Sequence, residues 1–195
     1  GSGGRDGWGA KGSGGRDGWG AKGKGGREGW AENEIISRSL SPGGDYISGV
    51  NDLRWQPIKG TKDYVFVIED AKNNIVHTTN VKGNMFTLDN SKVQLNMNED
   101  YAWYVHHPTK REVSNPVSFR IIDQANIKSS LEEFNKLSFA NHADEVVREL
   151  YTAFQYHENK HWLSAQNKYF MILQKYPKNS LAKMMYAYFC NEMGE

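Results

Sequence analysis

A single cysteine, Cys190, stands in the 195 residues, so no internal disulfide can staple the fold and packing alone must hold it. Proline is scarce at five residues. No run approaches the roughly 18 to 20 apolar residues of a membrane span, and no apolar signal core stands at the start. A chain free of disulfides fits the cytosol, yet many bacterial envelope proteins also lack them, so the compartment stays open. The sequence has no initiator Met, which leaves a processed product, or a fragment with its anchor upstream, among the expectations. Charge of one sign is missing too: 24 Lys and Arg face 23 Asp and Glu. Proteins that bind nucleic acid usually carry a concentrated basic face, which this balance does not supply.

Glycine, by contrast, is abundant and concentrated at the start. Residues 1–33 are nearly one 11-residue unit written three times: Gly1-Ser-Gly-Gly-Arg5-Asp-Gly-Trp8-Gly-Ala-Lys11, an identical copy over 12–22, and a drifted copy over 23–33. A run so rich in glycine cannot offset its backbone ordering entropy by burying its own side chains. Each copy nevertheless sets one Arg three residues before one Trp: Arg5 and Trp8, Arg16 and Trp19, Arg27 and Trp30. Indoles offer broad apolar contacts, guanidinium groups pair with carboxylates or stack on rings, and glycine lets the backbone approach a surface closely. The expectation is a tether or docking strip with evenly spaced anchors. A passive flexible spacer and a Gly/Arg-rich RNA-binding arm are the competing readings, although an Asp or Glu follows every repeat Arg and cancels its charge. If ordered, the rings would enter equivalent pockets of a repeating or symmetric partner, or fold back on the chain's own helices.

After a connector or first strand at 34–50, short β-branched and aromatic runs alternate with turn-formers. They are Leu53–Trp55, Tyr64–Glu69, Ile75–Thr79, Met85–Leu88, Tyr101–His106 and Pro116–Ile122. Asp70–Asn74 reads as a hairpin turn. Tyr101, Trp103 and Val105 alternate with period two, placing three large side chains on one face. About seven such strands argue for an antiparallel sandwich. Beyond Asp123 the period lengthens. Ser130 and Glu133 look like a capping box that starts a helix, followed by helices over Asp144–Asn159, His161–Tyr176 and Leu181–Met193, with Pro177 and Gly194 as stops. The fold expected is multidomain, β then α, with the helices in antiparallel hairpins.

Residues 51–123 resemble a fibronectin type III domain. Asp52-Leu-Arg-Trp55-Gln-Pro57 looks like that family's second-strand motif, with Trp55 closing the core. Tyr64-Val-Phe-Val-Ile68 resembles its next core strand. Tyr101-Ala-Trp103-Tyr-Val105 looks like its sixth strand, with Tyr101 at the tyrosine corner, and Ser114-Asn-Pro116-Val-Ser-Phe119 resembles its last strand. The helical end, 129–195, resembles a degenerate tetratricopeptide array. Ala153, Tyr156, Ala165, Tyr169, Ile172 and Pro177 fall at that family's positions, Ala187 and Cys190 follow one period after Ala153 and Tyr156, and Glu149 and Thr152 depart from it. The resemblance implies a terminal helix that is either shielded by the β domain or exposes Met184, Met185, Tyr188 and Phe189 to a partner.

Signals for chemistry are sparse. His106 and His107 are neighbours on a strand and so face opposite ways; His157 and His161 bracket a helix break; His77 and His142 stand apart. No zinc set, no Ser-His-Asp or Cys-His set and no phosphate cradle around Lys59-Gly60-Thr61-Lys62 emerges. The chain is therefore expected to be noncatalytic, without cofactor or metal. It reads as a protein-binding adaptor or structural component of a bacterial periplasm, cell envelope or large multiprotein assembly, with the cytoplasm as the other location. The alternative is a glycan- or peptidoglycan-binding module, suggested by Trp103, Tyr104, His106 and His107, although the alternation of Trp103 with Tyr101 and Val105 favours a core position.

Overall fold

The computed structural model describes residues 34–110, 112–137 and 141–194, so the Gly-Trp repeats lie outside the described residues. Among those described there are nine strands and four helices: β1 Glu34–Ser37, β2 Gly44–Ile47, β3 Val50–Arg54, β4 Asp63–Asp70, β5 Ile75–Lys82, β6 Met85–Asp89, β7 Asp100–His106, β8 Glu112–Ser114, β9 Val117–Ile122, α1 Ala125–Asn135, α2 Glu145–Glu158, α3 Trp162–Lys175 and α4 Ser180–Met193.

The β region is sandwich-like, a seven-stranded sheet facing the two-stranded β3–β6 sheet. In the larger sheet β5, β4 and β7 pair antiparallel, and the far edge of β7 meets β8 and then β9. Asn115-Pro116 separates β8 from β9; proline brings no backbone N–H and so breaks the ladder there. Opposite this broken edge runs an equally broken first strand, with β1 parallel to β8 and β2 parallel to β9. Between those pairings Ser39 bridges to Trp55, and Leu40 N donates to Arg54 O at 3.0 Å. The chain thus crosses from one sheet to the other and back. Residues 39–47 accordingly belong to the sandwich, and Gly43 allows the return: a Cβ there would stand 2.4 Å from Ser118 O.

Period two sends Tyr64, Phe66 and Ile68 of β4, Tyr101, Trp103 and Val105 of β7, and Val117, Phe119 and Ile121 of β9 into the core with Leu53 and Trp55. Trp103 Nε1 donates to Tyr46 Oη at 3.0 Å, and that hydroxyl donates to Pro42 O at 2.8 Å, so both buried polar ends are satisfied. Asn96 N donates to Tyr101 Oη at 3.0 Å and ties the preceding loop to the sheet. The Asp70–Asn74 turn forms through Asp70 Oδ1, which accepts from Lys72 N and Asn74 N, with Asn73 at φ 64°.

α2, α3 and α4 pack as consecutive hairpins around Leu150, Ala153, Ala165, Tyr169, Ile172, Ala182 and Phe189. Ala153 and Ala165 are fully buried, which permits the close α2–α3 crossing. Asn179 Oδ1 caps α4 by accepting from Ala182 N at 2.9 Å, and Gly194 closes it at φ 76°. α1 departs from expectation. It begins at Ala125, not Ser130, and Gln124 at its N-cap makes no side-chain bond. Ile127 and Phe134 are both buried and lie seven residues apart on one face. Burial of Ile127 draws the helix back by more than a turn and leaves Ser130 in its interior, where no capping box can form.

Candidate docking surfaces

α3 packs through two faces. Ala165, Tyr169 and Ile172 turn to the helical core, while Leu163, Gln166, Asn167 and Phe170, spaced i, i+3, i+4, i+7, turn to the sandwich. Leu163 is fully buried and belongs to the core cluster of the sandwich rather than to that of the helices. Polar groups seal the joint around it. Gln166 Nε2 donates to Leu40 O at 3.1 Å, Asn167 Nδ2 donates to Asp52 O at 3.1 Å, and Arg54 Nη1 donates to Asn167 Oδ1 at 2.5 Å. The Arg54 guanidinium also lies 5.4 Å from the Phe170 ring centre and 3.8 Å from Asp52 Oδ2. β sandwich and helical hairpins therefore share one helix. Sequence reasoning did not single out Leu163, Gln166, Asn167, Phe170 or Arg54 for this joint. Its trace is the width of the apolar band in Trp162–Leu173, broader than one hairpin face requires.

α4 faces the helical core with Ala182, Phe189 and Met193, and outward with Leu181, Met184 and Tyr188, which are 43%, 63% and 51% exposed. Met184 and Tyr188 thus face solvent, and Met185 is half-buried against the core. Phe189 does not: it is fully buried against Trp162, Tyr169 and Tyr186, because its place on α4 follows Ala182 by two turns on the inward stripe. Tyr188 donates to Glu192 Oε1 at 2.7 Å, and Glu192 Oε2 also meets the buried His157 Nε2, linking α4 to α2. These bonds, from Tyr188 first and His157 next, hold the Glu192 carboxyl below the usual carboxylate range. Of the other expected structural residues, Trp55, Tyr64, Trp103, Ala153 and Ala165 are buried, Tyr156 is half-buried on the helical core, and Pro177 is exposed after α3. Arg5, Trp8, Arg16, Trp19, Arg27 and Trp30 lie outside the described residues.

The histidines do not converge. His106 Nδ1 bonds to His107 O, His107 Nδ1 accepts from Thr109 N and Lys110 N, His77 lies tilted beside Phe86, and His142 is exposed. Among the described residues no group of three or more His, Cys, Asp or Glu is placed to hold a metal ion, and no helix is long and apolar enough to cross a membrane. Trp103 is fully buried and Tyr104 nearly so, with its hydroxyl donating to Glu69 Oε1 at 3.0 Å. Neither offers a sugar-stacking platform, and the glycan reading loses the aromatic residues that suggested it.

Burial lowers the pKa of His77, His106 and His161, although Asp45 across the joint partly supports the charged form of His161. A lowered histidine pKa means that the unfolded chain binds more protons below its ordinary value of about 6.5, so this stabilisation is complete above that pH and is lost as pH falls through the folded values. Lowered carboxylates at Asp70, Asp89, Glu145 and Glu192 extend the loss below about pH 4.5. The expected result is a urea midpoint that falls steadily between pH 7.5 and pH 5, with a shallower fall in His161→Gln. A midpoint flat across that window would contradict this origin.

No protein-family model matches the chain, and no curated protein matches it. Among solved structures, fibronectin(III)-like modules of CbhA from Clostridium thermocellum superpose with a TM-score of 0.29 at 7% identity, covering 45% of this chain and 96% of that one. The chain thus bears a weak, partial structural likeness to a fibronectin III-like module, and its C-terminal region is helical.

Proposed function

We propose that this chain is a noncatalytic adaptor or structural component of a bacterial envelope or other large multiprotein assembly, working as a bracket of fixed shape. The observation that carries the reading is the shared α3. With Leu163 in the sandwich core and Gln166 and Asn167 bonded to the β backbone, anything gripped by α4 is held at a set position relative to the β region. An adaptor that transmits position needs such a joint, since a flexible link would let its two ends move independently. The Leu181, Met184 and Tyr188 stripe supplies one grip, matched to the apolar face of a partner's amphipathic helix. The Trp repeats supply the other, each copy adding effective concentration where the partner's sites match the 11-residue spacing. Placement in the envelope follows from the sequence resemblance to bacterial surface architecture, with a tetratricopeptide-like helical end.

Photo-crosslinking tests this in the native cell, with the reactive group placed in the full chain at position 184, at position 19, or at exposed Val76 on β5. Discrete adducts of reproducible mass are expected from 184 and 19 and not from 76, with the 184 adduct falling about tenfold in Tyr188→Lys. Equal labelling from all three positions, or none from 184 and 19, would overturn the adaptor reading.

A further inference from the structure

An α-helix is most stable with acids near its N-terminus and bases near its C-terminus, where they offset the backbone dipole. α4 is built the other way round. Its first turn holds no acid and its last turn no base. Instead the exposed Lys178 stands just ahead of the Asn179 cap and the exposed Lys183 follows it, whereas Glu192 closes the C-terminal end. Hydrogen bonds from Tyr188 and His157 keep that carboxyl charged, and Glu158 of α2 adds a second negative field at the Tyr188 hydroxyl. Along the helix the apolar stripe is nearly palindromic. Leu181 and Tyr188 lie equally far from the midpoint between Met184 and Met185, and Lys178 and Glu192 lie almost equally far beyond them. The stripe is open among the described residues: α4 packs on α3 and α2, while the sandwich meets α3 through β2 and β3.

We propose that the occupant of this stripe is α4 of a second copy of the chain, running antiparallel about a two-fold axis beside Met184. The inference rests on the α4 grip of the adaptor reading and names its partner. Self-pairing in this register sets Leu181 against Tyr188 of the second copy, twice over, and brings the two Met184 side chains together at the axis, where flexible thioethers fill irregular gaps. It also places Lys178 against Glu192 of the second copy, again twice. Each charge that opposes its own helix dipole then meets its opposite, and each helix end meets the opposite pole of its neighbour. A parallel pair would do the reverse, setting Lys178 on Lys178 and Glu192 on Glu192. A two-fold contact requires a surface that is its own complement, and the order of apolar residues and of charges along α4 meets that requirement together. One pair of 14-residue helices falls at the low end of interface sizes, below roughly 1,200 Å², so the dimer should form at micromolar concentration and come apart on dilution. Because each α4 is tied to its own sandwich through α3, such a dimer is a two-headed bracket with both β regions set about one axis.

Sedimentation of the full-length protein over a concentration range on the order of 1 to 100 μM tests this. A monomer–dimer equilibrium is expected, weakened about tenfold in Lys178→Glu and in Glu192→Lys, each of which sets like charges together twice. Mixing the two variants should restore association to near the native strength, because both contacts of the mixed dimer pair opposite charges again. Met184→Lys, at an exposed position, should leave the chain monomeric with its circular dichroism and Tm unchanged, which separates loss of pairing from loss of fold. Failure of the mixture to recover would overturn the antiparallel register, and a native chain that stays monomeric throughout would overturn the dimer. In that second case an adduct with a different protein from position 184 would leave the adaptor reading standing without the second copy, whereas no adduct there would end both.

Discussion

Leu163→Ala is expected to cost about 2–5 kcal/mol, the range for emptying a fully buried leucine site, and to weaken both halves of the molecule together. The side chain sits on α3 but packs with the sandwich core, so the cavity opens in the β region although the mutation lies in a helix. Loss of the contact also loosens the polar seal of Gln166, Asn167 and Arg54, whose bonds depend on α3 lying flush against β2 and β3. Urea unfolding followed by indole fluorescence and by far-ultraviolet circular dichroism should show both midpoints fall by the same amount. Met171→Ala, at a position 61% exposed on the same helix, serves as control and should change stability by less than about 0.5 kcal/mol. A Leu163→Ala protein that loses only its helical signal would show that the side chain serves the helices and not the joint.

Gly43→Ala is the second large effect. Its Cβ would lie 2.4 Å from Ser118 O and 3.3 Å from Val117 Cγ1. The first neighbour is backbone, part of the β9 strand that β2 pairs with, so relief requires separating β2 from β9. Overpacking of this kind costs about 1–3 kcal/mol, and in a chain of this length each kcal/mol lowers Tm by about 2–4 °C. A drop of about 2–12 °C is therefore expected by calorimetry. Gly83→Ala isolates the conformational part of such a change, because Gly83 has φ +85° but nothing within 4 Å of the added Cβ; its cost should stay near about 1 kcal/mol. If the two variants melt together, close approach at Gly43 is not what the turn requires.

How far the sequence could be read depended on whether the signal was local. The Asp70–Asn74 turn and the Gly194 stop are written in single residues that satisfy or free nearby backbone groups, and each stands where the sequence indicates. The alternation of Tyr101, Trp103 and Val105 likewise has one meaning on a strand, and all three are buried. Ser130 and Glu133 misled because a capping box is only a local preference, which burial of Ile127 outweighed. Phe189 misled in another way: on an apolar helix, Met184, Tyr188 and Phe189 look alike until the hairpin decides which stripe turns inward. β8 is three residues long and exists only by pairing with β1 and β7, so no run of side chains announces it. The joint on α3 and the burial of Glu69 beside Tyr104 are products of tertiary packing. Gln166, Asn167 and Glu69 are polar residues that composition alone assigns to solvent.

A fixed distance between the β region and α4 is the premise of the whole account, and pulsed electron spin resonance measures it directly. Nitroxides at Thr78→Cys on β5 and Lys183→Cys on α4, both exposed positions, would be placed in a Cys190→Ser background. One narrow distance distribution is expected, broadened when Leu163→Ala and Arg54→Ala are added. A distribution already broad in the otherwise native chain would mean that the two halves move independently, contradicting the bracket.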